Sequence, residues 1–217
     1  STATPALPAS LHKVGVMFAS VPQPLAYAEA LLAQFVRLSQ ATDGAALLGG
    51  FVRGLAELSG CELAQVYLLD AAHTSLGMNA ECLNGNLQPR EVDSLPADYN
   101  AEQLLQFALC QNRVICLSGL SGSLHQTGFL PSQAKPWESL LCVPLVNRQD
   151  AVEGVLLCAS YQHLNLQGFA NSFSQLSSFV VGHLHLLQRL RRPSAEQQAL
   201  PVSAPSASGY GLIGNST

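Results

Sequence analysis

The side chains with the widest chemical repertoire in this 217-residue chain are six cysteines and six histidines. The cysteines stand at positions 61, 82, 110, 116, 142 and 158, and no two of them form a Cys-x-x-Cys pair. The Cys110-x5-Cys116 spacing matches no zinc site. Four of the six lie inside apolar runs such as SLLCVPLV and GVLLCAS. All six are therefore expected to be small buried hydrophobes kept reduced, because a redox role needs an exposed thiol of low pKa. His183 and His185 are two apart, so on a helix they point in different directions and cannot chelate one ion. His183 falls in an apolar seam, where it reads as a hydrogen-bonded interface residue whose protonation below about pH 6.5 would loosen a dimer. His73 reads as a turn residue, and His125 lies in a long loop before Trp137, the only tryptophan. No Ser/His/Asp or Cys/His constellation and no carboxylate pair in an apolar setting stands out, so the chain is read as a non-enzyme. Tyr67 on a predicted strand, Arg113 at a strand entrance, His125 and Trp137 remain as candidate ligand-binding residues. No metal and no cofactor is expected.

Composition narrows the classes. With 48% hydrophobic and 11% charged residues the chain can bury one good-sized core and is not a disordered polypeptide. A formal charge of −4 and scattered basic residues argue against nucleic-acid binding. Arg189, Arg191 and Arg192 cluster, but near a predicted helix end, where they complement the helix dipole. No apolar run approaches the roughly 18 to 20 residues that span a bilayer. The N-terminus lacks a signal-peptide pattern. The expectation is a cytoplasmic piece of a longer protein, since the chain starts on Ser1.

The elements that must position these residues follow from periodicity. Residues 1–21 read as a mobile arm. Pro22 and Pro24 suit a helix start, and Leu25, Ala28, Leu31, Leu32, Phe35 and Leu38 give it an apolar face. Thr42 or Asp43 caps a second helix, which Ser59-Gly60 stops. CELAQVYLLD and HTSLGMNAECLNGN read as two strands closed by an Asn84-Gly85 turn. A polar loop from 87 to 100 precedes a short helix in AEQLLQFALCQN, and RVICLSGL is the next strand. After a long loop, SLLCVPLVN and VEGVLLCASYQ form a hairpin. Phe169, Phe173, Leu176, Val180, His183, Leu187 and Leu190 then step by fours and threes along a final helix over 170–190. Phe179 and Leu186 form a second stripe beside it. Residues 193–208, rich in Pro, Ser and Ala, read as a linker. Helices at both ends of one antiparallel sheet define an α+β domain.

Three stretches carry a family resemblance: ALLGGFVRGLAELSGCELAQVYLLD, the WESLLCVPLVNRQDAVEGVLLCAS hairpin and FANSFSQLSSFVVGHLHLLQRL. Together, over residues 43–190, they resemble a GAF domain, the small-molecule sensor module related to PAS. The resemblance implies a GAF-like regulatory domain over 22–192, with His125 in the loop that often roofs the family's pocket. The family's haem, iron and bilin sites use Cys or His, but no Cys-His dipeptide occurs here. The cyclic-nucleotide signature is absent as well. The terminal phrase GYGLIGNS resembles the opening of the AAA+ ATPase domain of bacterial enhancer-binding proteins, so 209–217 is expected to be the start of that domain. No Walker A loop occurs within the chain. CELAQVYLLDAAHTSL and LPSQAKPWESLLCVPL further resemble regulators of type VI secretion clusters. The resemblance implies the sensory domain of a sigma-54-dependent transcription activator that acts on its own ATPase and, through it, on sigma-54 RNA polymerase. It further implies a homodimer through Phe179, His183, Leu186, Leu187 and Leu190, with a small ligand or protein partner as the signal. Two other readings stay open: a ligand-free dimerisation and docking module, and a metal or redox sensor.

Overall fold

The computed structural model describes residues 21–89, 94–96, 104–122 and 129–203; for 192–203 it describes the backbone. The first helix, α1 (Pro24–Ser39), has Pro24 in its opening turn, where a missing N–H costs nothing. The second, α2 (Gly44–Ser59), is capped by Asp43, whose carboxylate accepts the Ala46 N–H at 2.8 Å. Such a cap is worth about 1 kcal/mol. Gly60 ends the helix at φ 72°, a left-handed conformation that suits glycine.

The sheet then forms from β1 (Leu63–Leu69), β2 (Ser75–Leu83), β3 (Asn86–Leu87), β4 (Ser94–Pro96), β5 (Ile115–Ser118), β6 (Ser139–Val146) and β7 (Val152–Ser160). Its order is β3-β2-β1-β7-β6-β5, with β4 also on β2, and every pairing is antiparallel. A short helix, α3 (Leu104–Gln111), precedes β5, and a long one, α4 (Ala170–Ser203), follows β7. The domain is α+β, as its sequence pattern predicts.

Strand parity sorts the core into two layers. On one face, α2 lies on β1 and β2. There α1 meets the start of α4 through Tyr27, whose ring lies 5.5 Å from Phe169 and whose hydroxyl bonds Ser172 at 2.6 Å. Phe35 of α1 packs edge-on against Phe179 of α4 at 5.4 Å. On the other face, α3 lies on β6 and β7, and its Leu104, Leu105, Ala108 and Leu109 share one apolar cluster with Leu63, Tyr67, Leu140, Val155 and Leu157. The chain divides into a compact unit that ends at Gly182 and a second unit that begins at His183. Within the first, Phe173, Leu176 and Val180 are buried, as the stepping of apolar residues along the last helix requires. No described helix is long and apolar enough to cross a membrane.

Two segments depart from the periodicity reading. The stretch read as loop from 87 to 100 contains β4, which pairs Ser94, Leu95 and Pro96 with Gly77, Leu76 and Ser75. A three-residue edge strand has too few positions to show an alternating pattern, and Pro96 argues against one. The last helix continues to Ser203, through residues 193–203 of the stretch read as linker. Ala195, Glu196, Gln197, Gln198, Ala199 and Leu200 are all good helix formers, and that preference outweighs Pro193.

Candidate functional site

On the same face of the sheet as α3, β1 and β2 carry a line of buried polar groups. Leu63, Gln65 and Tyr67 share this face because side chains alternate along β1. Gln65 stands opposite Glu81 of β2, which puts the carboxylate on the same side. The Tyr67 hydroxyl donates to Gln65 Oε1 at 2.7 Å, and Gln65 Nε2 donates to Glu81 Oε2 at 2.6 Å. Gln65 is 1% exposed and Glu81 8%. Leu157 of β7 stands opposite Gln65, and it belongs with Leu63 to the apolar cluster of this face. Burial, and after it the neighbouring Glu81, push the Tyr67 hydroxyl far above its ordinary pKa, so it remains a donor.

Trp137 closes another side of this layer. Its indole N–H donates to the Pro131 carbonyl at 2.9 Å, and its ring stacks on Tyr161 at 4.3 Å. The Tyr161 hydroxyl in turn bonds Gln133 at 3.2 Å. These contacts tie the segment before β6 to the sheet. Next to it, Glu138 accepts the Ser121 N–H at 3.1 Å and pairs with His163 at 2.7 Å. The Ser121 bond and then His163 hold the Glu138 carboxyl below its usual range.

The structure thus brings Tyr67 and Trp137 into one buried layer. Arg113 is exposed between α3 and β5, with its N–H on the Ala108 carbonyl at 3.2 Å. His125 lies outside the described residues. Of the seam residues, Phe179 packs on Phe35, while Leu186 and Leu190 are 42% and 65% exposed; His183 and Leu187 are intermediate. His73 sits in the β1–β2 turn at φ 56°. Gln65 and Glu81 are absent from the candidates that sequence suggests. The signal for Gln65 is its inward parity between Leu63 and Tyr67 in a strand otherwise apolar on both faces.

Expectation and structure also part over one cysteine. Cys61, Cys82, Cys142 and Cys158 are buried and Cys116 is partly so, but Cys110 is exposed. Leu104, Leu105, Ala108 and Leu109 fill the inner face of α3, which leaves residue 110 on its outer side. Burial pushes the Cys61 thiol up to about 11, against a Ser59 hydrogen bond that works the other way. It raises Cys142 and Cys158 further.

A six-stranded antiparallel path with helices at both ends of the chain, and a short helix over the opposite face, is the GAF fold. Solved structures with this fold include the GAF domain of an Acinetobacter phosphoenolpyruvate-protein phosphotransferase, at 20% identity and TM-score 0.62, covering 74% of this chain and 93% of that one. Free methionine-R-sulfoxide reductase from Neisseria meningitidis, solved with its substrate, matches at 17% identity and TM-score 0.61, over 80% and 96% of the two chains. The GAF domain of a Coxiella burnetii phosphoenolpyruvate-protein phosphotransferase matches at 14% identity and TM-score 0.55, over 82% and 99%. At these identities the likeness shows the fold alone. No protein-family profile and no curated protein matches the sequence.

Proposed function

We propose that the chain is the signal-sensing, non-enzymatic regulatory domain of a sigma-54-dependent transcription activator, of the kind that controls type VI secretion clusters, working in the cytoplasm. The observation that carries this reading is the pairing of a GAF fold with the phrase Gly209–Ser216, GYGLIGNS, beyond its final helix. A ligand on the sheet must favour one arrangement of the terminal helices over another, and that preference biases the ring of the following ATPase. The exit helix is the lever, and a second copy of the chain packs along Phe179, His183, Leu186, Leu187 and Leu190. The exposed Leu186 and Leu190 equally favour a second reading, a dimerisation module that binds no ligand.

The test is the ATPase rate of the whole activator with and without residues 1–192, and with Leu187→Pro in the exit helix. Loss of a lever that biases the ring should change the rate several-fold. An unchanged rate in both variants would overturn the reading. Saturable ligand binding by the 217-residue chain separates a sensor from a ligand-free module.

A further inference from the structure

The polar line on β1 and β2 has a direction. The Tyr67 hydroxyl, held protonated by its surroundings, donates to the Gln65 carbonyl oxygen. That bond fixes which end of the Gln65 amide faces Glu81, so its NH2 donates to Glu81 Oε2. Donors run one way and end on a carboxylate. A carboxylate has about four acceptor sites, and among the described residues the Glu81 carboxylate accepts from one side chain, Gln65, at one oxygen. No lysine or arginine among the described residues forms an ion pair with it. Yet the residue is more than nine-tenths buried, on a face whose cluster is mostly apolar. A buried carboxylate so thinly partnered is costly unless further donors complete it. The capacity left over at this spot is acceptor capacity with negative charge, next to apolar surface.

We propose that Glu81, oriented through Gln65 and Tyr67, recognises a small ligand that carries a cationic nitrogen, an ammonium or a guanidinium, on an apolar body. This assignment rests on the sensor reading above and names the ligand class for its site. The nitrogen supplies the hydrogen bonds that Gln65 does not, and it brings the opposite charge. The apolar body lies against Leu63 and Leu157, which neighbour Gln65 on the same face. Carboxylate and phosphate ligands are disfavoured, because Glu81 repels them and the relay presents them no cation. Glu81 is the binding group; Gln65 and Tyr67 position it.

Melting of the 217-residue chain with butylguanidinium, butylammonium and butyrate, at matched ionic strength, tests the proposal, with titration calorimetry alongside. The two cations should raise the melting temperature saturably, by about 3–6 °C at ten times their dissociation constant, and butyrate should not. Glu81→Gln keeps the side-chain volume and should weaken cation binding at least tenfold. Tyr67→Phe, which removes only the positioning bond, should weaken it by a smaller factor. If Glu81→Gln fails to melt cooperatively, Tyr67→Phe alone decides: cation affinity equal to wild type overturns the proposal. No saturable response to either cation, an equal response to butyrate, or undiminished binding by Glu81→Gln would also overturn it. Should the cations fail while deletion of residues 1–192 still alters ATPase rate, only the ligand class falls and the regulatory reading stands.

Discussion

A thiol must be exposed to react, and the six cysteines of this chain divide sharply in exposure. Cys110 is exposed on α3, Cys116 is partly covered, and the other four are buried with Cys61, Cys142 and Cys158 pushed above the ordinary 9.0. Iodoacetamide applied to the native protein at pH 8 should therefore label Cys110 first, Cys116 more slowly, and the remaining four only on unfolding. Mass mapping of early peptides checks the order; early label on Cys142 or Cys158 would contradict the burial described here. The same contrast shows what a sequence discloses about single residues. Cysteines inside long apolar runs are legible as buried, because the run itself predicts a covered strand. Cys110 is not, since in an eight-residue helix the outward face is decided by what lies beneath it. Tyr67 on a strand and Trp137 just before one could be singled out as large aromatics. Glu81 could not, because its meaning depends on a strand partner, Gln65, sixteen residues away.

At the scale of elements, the β6–β7 hairpin and the helices α1, α2 and α4 are readable from period, cap and turn residues. The short β4 and the helical extension to Ser203 are not, because edge pairing and competing propensities leave no periodic trace. Two glycines show how element packing assigns different roles to one residue type. Gly154 sits in β7 between β1 and β6, where an added Cβ would come within 2.0 Å of the Tyr67 carbonyl oxygen and 3.1 Å of Leu68 Cα. Both obstacles are backbone, so the sheet cannot yield without losing its register. Gly182 lies inside α4, and a Cβ there would meet nothing within 4 Å. Gly154→Ala should cost about 2–4 kcal/mol of stability. Gly182→Ala should gain up to about 1 kcal/mol through helix propensity. Urea denaturation of the two variants measures both, and the opposite ranking would show that strand approach at Gly154 is not as close as described.

For the whole molecule, the proposal with the widest reach is that the chain acts as a pair. A regulator that governs a ring assembly has to convert a local event into a change between subunits, and a shared helical seam is a physical means of doing so. Leu190 is the most informative position on that seam. It is 65% exposed, so replacing it should alter the stability of a single chain by no more than about 0.5 kcal/mol. In a dimer the same leucine is buried against its counterpart, and a charge there must be desolvated beside apolar surface. Leu190→Glu should therefore leave the melting of a dilute sample unchanged and raise the dimer dissociation constant at least tenfold. Gln149→Glu, in the exposed β6–β7 turn, adds the same charge away from the seam and should leave association as it is. Sedimentation velocity over a hundredfold range of concentration distinguishes the two variants. A wild-type chain that remains monomeric throughout would remove the dimer and move the lever into the single chain. Equal weakening by both variants would assign the effect to net charge, and the seam would lose its claim.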